Sequence, residues 1–531
     1  MNHSFNLVRQ PFIPCHRMDG SFVELSLLDV LNEAHRVREV VDESPLVTMA
    51  LHRLLLAILH RCFGPETPQV WATLWQNRSE GFPVEVIRAY LREWEHRFDL
   101  FDPARPFYQT AALRTWPQRM SVSKLIPELA SGNNATLFDH TCDADIYTLT
   151  PGVAARATIS AQSFSAGGLV SFVRKADRSA DAAPLASAAV VLVRGETLTE
   201  TLLLNLHQYD QDEDEPFPFT GRDVPAWESD GETTAEDRVP VGYLDLLTWQ
   251  SRQILLIPET AQNGSTVVSS VVIMKGNQFP DDWPHRRREP MVAFRRSKKP
   301  SCVRDSWLPI SFRPGRAVWR DSGALLQFQV EQDLSTRPRL FRWLNNLMDN
   351  DALPETSVFS FDVFGQATDK ASVLLWRHER LPLPAAYLAE PILTARLQEA
   401  LKVAEDLYFK LRISAQDVLK KGLGIGNASP HLAALERRFW AVLELDFLPF
   451  FRSLPQDRRI SEDGSVSFGD TKLGDWTDAV RQTALQCFQE FSFGLGATAR
   501  VTIATARFEN RLRSTLPAVK TGAVQAKGDR S

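Results

Sequence analysis

Apolar and polar positions alternate in three regimes along the chain. Near the start, apolar runs at 5–8 and 22–25 flank an Asp19-Gly20 turn signal, which predicts a hairpin over residues 5–25. A sharply punctuated helix follows. Ser44 stands as N-cap, Pro45 takes the first helical position and Gly64-Pro65 closes it. Its interior is apolar on most faces, which predicts a buried helix rather than a surface one. His52 and His60 lie on it eight residues apart. Metal ligands sharing a helix usually sit three or four apart, so these two read as core histidines.

From about 140 to 385 the pattern turns β-rich, with runs at 188–193, 266–273 and 325–330 broken by Pro and Gly loops. No βαβ alternation and no internal repeat is present. After about 390 the period becomes helical. Leu397, Ala400, Leu401, Ala404, Leu407, Tyr408 and Leu411 follow the i, i+3, i+4 rule. A second run passes through Leu435, Phe439, Val442, Leu443 and Phe447, and there is room for a third and a fourth between Trp476 and Leu512. Short connections between long amphipathic helices imply antiparallel packing. The expected class is therefore α+β: a large mixed α/β N-terminal domain over 1–385, a C-terminal four-helix bundle over 386–515, and a disordered tail over 516–531.

Composition narrows the function. The net charge of −5 excludes a wholly basic nucleic-acid coat, but the charge is unevenly spread. Residues 210–237 hold eleven acids and one Arg, and read as a solvated, mobile loop. Residues 285–316 hold ten Lys or Arg and two acids, with Trp283, Phe294 and Trp307 interleaved. That block reads either as a solvated face or as a patch for phosphates and unpaired bases. Cys15, Cys62, Cys142, Cys302 and Cys487 are far apart and form no C-x-x-C pair, which argues against disulfides and zinc and for a reducing, cytoplasmic setting. No basic segment followed by an apolar run opens the chain, and uninterrupted apolar runs fall far short of the roughly 20 residues of a membrane span.

The usual catalytic signatures are missing: no H-E-x-x-H, no G-x-S-x-G and no Walker loop. Gly422, Gly424 and Gly426 lack dinucleotide spacing and follow a helical run, so they read as an interhelical loop. The acidic run at 212–215 is contiguous and has no ligand-spaced loop for a hard cation. A binding protein is favoured over an enzyme, with no cofactor and no metal.

Three segments carry a resemblance. The first is Ala130-Ser131-Gly132-Asn133-Asn134-Ala135-Thr136-Leu137-Phe138-Asp139-His140. The second is Gln162-Ser163-Phe164-Ser165-Ala166-Gly167-Gly168, with Val193-Arg194-Gly195 downstream. The third is Gly365-Gln366-Ala367-Thr368-Asp369-Lys370-Ala371-Ser372, then Trp376-Arg377-His378-Glu379. In this order, with the N-terminal hairpin and the closing helices, they resemble the CasA family, large subunits of type I-E CRISPR Cascade. The resemblance implies a non-catalytic subunit that recognises the protospacer-adjacent motif (PAM) in duplex DNA, helps start strand separation and R-loop formation, and docks a helicase-nuclease. Its implied partners are the other Cascade subunits, the CRISPR guide RNA and double-stranded target DNA, with no membrane.

Residue by residue, the resemblance makes Asn133, Asn134, Phe138 and His140 part of a loop reaching the guide-RNA handle or a neighbouring subunit. The plain alternative is a loop anchored by Phe138. Ala166, Gly167 and Gly168 match a glycine loop that lies along the PAM minor groove, where close backbone approach favours Gly; the alternative is a simple turn. Lys275 matches a lysine entering that groove, against a surface lysine at a strand end. Asp369 and Lys370 stand where the family usually has a glutamine that wedges into the duplex. The cysteine cluster of some relatives is missing here. Arg286, Arg287, Arg288, Lys298 and Lys299 are candidates for holding DNA phosphates, and Lys420 and Lys421 weaker ones. The rival functions are a hydrolase-type enzyme with its site in the α/β domain, and a stand-alone basic-patch DNA-binding module.

Overall fold

The computed structural model describes residues 3–129, 147–208, 222–231, 233–280, 283, 289–296, 307–326, 335–369, 372–462 and 466–515. It is a mixed helix and strand protein that divides into two compact units: Met1–Val318 with Gln329–Arg380, and Trp319–Phe328 with Leu381–Ser531.

In the first unit, β1 (Ile13–Arg17), β2 (Phe22–Leu25) and β3 (Val37–Val40) form an antiparallel sheet in the order β2-β1-β3. The hairpin is present, with Cys15 paired to Val23, but its first strand is Ile13–Arg17 and not residues 5–8. The reason is local. The Asn6 side chain accepts from Val8 N at 3.0 Å, and Asn6 N donates to Gln10 Oε1 at 2.7 Å, so the segment closes into an Asx turn.

The helix Pro45–Phe63 runs between the predicted punctuation marks, with Ser44 and Gly64 as caps. Ser44 spends its hydroxyl on Glu128 rather than on the helix end. By length and composition this helix could cross a membrane, yet most of its side chains are buried inside the unit. No long uninterrupted apolar run marks it in the sequence, because Thr48, His52, Arg53 and His60 break it up. Buried Arg53 is paired with buried Glu289 at 2.8 Å. His52 Nδ1 lies 2.8 Å from Thr48 O, and His60 packs edge-on against His207 and Tyr243. Both histidines are core residues, and burial holds both well below their ordinary pKa.

A second sheet joins β4 (Met120–Ser121), β8 (Arg252–Thr260) and β9 (Thr266–Lys275) in the order β4-β9-β8. β5 (Gly168–Leu169) pairs with β6 (Ser179–Ala180). β7 (Val190–Arg194) is buried throughout and pairs with β13 (Val358–Asp369), which neighbours β14 (Ser372–Pro384). β10 (Phe294–Arg296) lies between β11 (Trp307–Pro309) and β12 (Ser335–Thr336).

The described part of the acidic block is anchored, although Asp230, Glu236 and Asp237 stay exposed. Trp227 is buried against Phe98 and Phe107, and Glu228, almost wholly enclosed, accepts from Arg61 and from Tyr90 Oη, each at 2.7 Å. Asp223 caps the helix Tyr243–Leu247 by accepting from Leu244 N and Asp245 N. One buried aromatic and a set of arginine partners hold the segment down; counting acids could not show them.

In the second unit four long helices, Pro391–Asp417, Ser429–Ser453, Thr471–Gly494 and Ala499–Thr515, pack on one another. Their apolar stripes meet in a core that includes Leu397, Leu411, Phe439, Phe447 and Val480, and Trp476 Nε1 donates to Ala400 O at 2.8 Å. Leu325 and Leu326, expected on a strand, lie on the short helix Ser322–Leu326, while 327–330 fall outside the described residues. A short apolar run does not distinguish strand from buried helix.

Candidate nucleic-acid interface

The helix Pro151–Phe164 delivers the glycine loop. Thr150 caps its start, and Ser165 N bonds to Ala161 O at its end. Near that end, Gln162 clamps the start of β8. Its Oε1 accepts from Arg252 N, and its Nε2 donates to Arg252 O, both at 3.0 Å. Arg252, itself buried, turns its guanidinium back to donate to Ala166 O at 3.0 Å and Asp181 O at 2.7 Å. Burial lowers its pKa to about 10, so it is still a cation at neutral pH. The loop is thus fixed from inside by a charged donor. A Cβ on Gly167 would sit 3.0 Å from Ala182 N and 3.3 Å from Ala180 O, both backbone atoms, so only Gly fits without a shift.

Lys275 closes β9, directly across from Arg252 of β8. Gly276 lets the chain leave the strand: a Cβ there would fall 2.6 Å from both Arg252 N and Gln250 O. Ser171, three residues past Gly168, donates its N–H to Ile273 O at 3.1 Å. The glycine loop and Lys275, a hundred residues apart in sequence, therefore belong to one locus. Lys275 is half-buried, and among the described residues no carboxylate pairs with it. It lines a cleft of about 420 Å³ with Trp116, Phe172, Val173 and Arg174.

β13 and β14 are separated by residues 370 and 371 alone, so Asp369 ends one strand and Ser372 begins the next. Lys370 lies outside the described residues. Gln366, the glutamine of this segment, is fully buried and donates to Phe164 O at 2.7 Å and Ala186 O at 3.1 Å. It is an anchor, withdrawn from any exposed role.

Below the hairpin lies a charge cluster. Asp362 accepts from Arg380 Nε at 2.6 Å and meets His378 Nε2 at 3.2 Å, while Glu39 takes Arg194 at 2.6 Å and Arg380 at 3.1 Å. Burial opposes ionisation of Asp362, but His378, Arg380 and Arg194 outweigh it and hold its pKa at about 2.

The remaining candidates are less gathered. Arg286, Arg287, Arg288, Lys298 and Lys299 lie outside the described residues, as do Asn133, Asn134, Phe138 and His140 and the tail from 516. Trp283, just before the basic block, and Phe294 and Trp307 within it are buried, so they are core and offer no face to unpaired bases. Lys420 and Lys421 sit on a π-helical turn, Val418–Gly422, that extends the helix, rather than in the loop beyond it. Lys421 is paired with Asp417 at 2.9 Å, and Lys420 is exposed. Among the described residues no group of three or more His, Cys, Asp or Glu could hold a metal ion.

Sequence reasoning missed Gln162, Arg252 and Gln366 as the supports of this locus. Gln162 and Gln366 fall within the motif segments and Arg252 opens an apolar run, but none of these signals gives a partner.

Comparison with known proteins gives the family. The family model described as CRISPR-associated protein Cse1 matches residues 6–487. The CRISPR-associated protein CasA/Cse1 of Thermus thermophilus is 34% identical over 528 residues, covering 95% of this chain and 96% of the relative. The crystal structure of Thermus thermophilus CasA matches with a TM-score of 0.77 at 30% identity, over 97% of this chain and 99% of that one. Thermobifida fusca Cse1 gives 0.82 at 28% identity, over 97% of each chain. A chain of a CRISPR RNA-guided surveillance complex shares the fold, with a TM-score of 0.74 at 23% identity over 96% of this chain and 99% of its own. With nearly its whole length matched in both sequence and fold, the chain belongs to the CRISPR-associated Cse1 (CasA) family.

Proposed function

We propose that this chain is the large subunit of a type I-E guide-RNA surveillance complex, Cascade. In that role it reads the PAM in duplex DNA, helps open the first base pairs and docks the helicase-nuclease, acting in the cytoplasm and without catalysis of its own. The four helices of the second unit act as its four-helix bundle. The observation that carries the reading is the Ser171–Ile273 hydrogen bond, which brings the glycine loop beside Lys275.

The chemistry of such a locus suits the minor groove. That groove is narrow, so a side-chain-free backbone at Gly167 and Gly168 gains close approach. At A·T pairs it shows only the acceptors of adenine N3 and thymine O2, and an ammonium is donor-only. Lys275 would therefore favour acceptor-rich steps with modest discrimination, giving a tolerant PAM. The β13–β14 tip, with Asp369 and Lys370, supplies the element that enters the opened duplex. The basic residues 286–288, 298 and 299, with Lys420 and Lys421, hold phosphates further along. Asn133, Asn134, Phe138 and His140 meet the guide-RNA handle or an adjacent subunit.

Coexpression with the neighbouring genes and a CRISPR array tests the assignment. The expected result is one assembly containing this chain, smaller subunits and a short guide RNA. A chain that purifies alone and binds duplex DNA equally well without guide RNA would mean a stand-alone DNA-binding module instead.

A further inference from the structure

The loop after the glycine turn carries large apolar side chains out into solvent: Leu169 is 83% exposed, Phe172 43% and Val173 73%. The loop is nonetheless tied down. Val170 N bonds to Arg178 O at 3.0 Å, Asp177 N to Arg174 O at 2.8 Å, and Ser171 N to Ile273 O at 3.1 Å. Arg174 is further pinned by Asp177 at 2.7 Å. Apolar groups held out on an ordered loop forgo burial, and Phe172 and Val173 do so side by side on one cleft, as at a contact surface. Its surroundings are cationic. Lys175 and Arg178 are exposed on the same loop, and Lys275 shares the cleft with Phe172 and Val173.

An apolar strip bracketed by cations has a complement in the edge of a DNA duplex, where apolar sugar faces run between rows of phosphates. A protein partner would match the apolar part but would need its own acids for the cations. We propose that Phe172 and Val173 form a ledge that packs on deoxyribose faces of duplex DNA beside the glycine loop, with Lys175 and Arg178 on the adjoining phosphates. This rests on the reading of the glycine loop and Lys275 as a duplex-facing site. The ledge adds affinity that depends on sugar packing and not on counterion release, so it differs in kind from the basic contacts around it.

The test uses the guide-loaded complex with a short target duplex and its single strand, titrated by fluorescence anisotropy across salt concentrations. Val173→Ser should weaken duplex binding about threefold, and Phe172→Ser with Val173→Ser about tenfold, since each removes partly buried apolar contact. The salt slope should stay unchanged in both. Lys175→Ala with Arg178→Ala should instead reduce the slope by about 0.9 per lost phosphate contact. Val173 is mostly exposed, so Val173→Ser should melt as the parent does and keeps the test independent of folding. If Lys275→Ala weakens duplex binding while the ledge variants do not, the ledge proposal is wrong and the site reading stands. If neither matters, both fall. If the ledge variants leave DNA binding intact but block assembly with partner subunits, the surface docks protein and the proposal is overturned.

Discussion

The side-chain amide of Gln366 on β13 donates to the carbonyl oxygen of Phe164, 2.7 Å away at the last turn before the glycine loop. A second bond from the same nitrogen reaches Ala186 O at 3.1 Å. One buried side chain thus ties the strand leading to the hairpin tip to the helix end that delivers the glycine loop.

Replacing Gln366 with Leu strips both buried carbonyls of their donor, and each unpaired buried group costs about 1–3 kcal/mol. The expected outcome is a drop of several degrees in the thermal transition, together with weaker duplex binding. An unchanged melting temperature would mean that the amide is not an anchor.

Gly167→Val places a branched side chain against the backbone of residues 180–182, which cannot swing away as a side-chain end would. Because only the local β5–β6 contact is disturbed, the protein should stay folded by circular dichroism. Duplex affinity should fall at least tenfold, about 1.4 kcal/mol. Parent-like affinity would show that the loop backbone does not approach the DNA.

Stability should depend on pH through the buried histidines. Burial lowers His52 from 6.5 to about 4 and His207 to about 3, and also depresses His60. Folded values below the unfolded value mean that stability is complete above about pH 6.5 and is lost as pH falls toward 4 and 3. For His52 the loss is on the order of 3 kcal/mol. Asp362, held at about 2 against an ordinary 3.8, extends the loss into stronger acid. Melting temperatures from pH 8 to 4 should therefore start to fall near 6.5, before carboxylates titrate, and His52→Gln should flatten the slope. A flat profile down to pH 4.5 would contradict the buried, neutral assignment.

Lys370→Ala should slow R-loop formation on a matched duplex and have little effect on a target already unpaired beside the PAM. Opening one step costs on the order of 1–2 kcal/mol of stacking, so one side chain is enough to matter. Lys370→Gln should keep most activity with less dependence on salt, because an amide both donates and accepts without charge. Equal slowing on both substrates would make Lys370 a general DNA contact and leave Asp369 as the tip residue to test, since buried Gln366 is not available.

Helices announced themselves in the sequence, and contacts did not. Pro45 and Gly64 marked one helix correctly because a preset first turn and a Gly stop are local chemistry, while Ser44 holds the cap position but turns its hydroxyl to Glu128. The i, i+3, i+4 stripe from Leu397 to Leu411 did the same for another. Residues 5–8 misled because Asn6 bends its own backbone, and 325–326 because a short apolar run fits strand or helix alike. The aromatics of the basic block suit stacking by residue type, but their burial takes them out of reach of bases. At the site, Gly167 and Lys275 could be named from motif order, but the Gln162–Arg252 clamp that unites them spans ninety residues and leaves no periodic trace.

The most direct test is binding of the guide-loaded complex, containing either this chain or its Lys275→Ala form, to target duplexes that differ only in the PAM base pairs. The parent should bind acceptor-rich PAM duplexes more tightly than G·C-substituted ones, and Lys275→Ala should lose most of that preference while keeping guide-directed binding to pre-opened targets. A Lys275→Ala complex with the parent's full PAM preference would contradict the account.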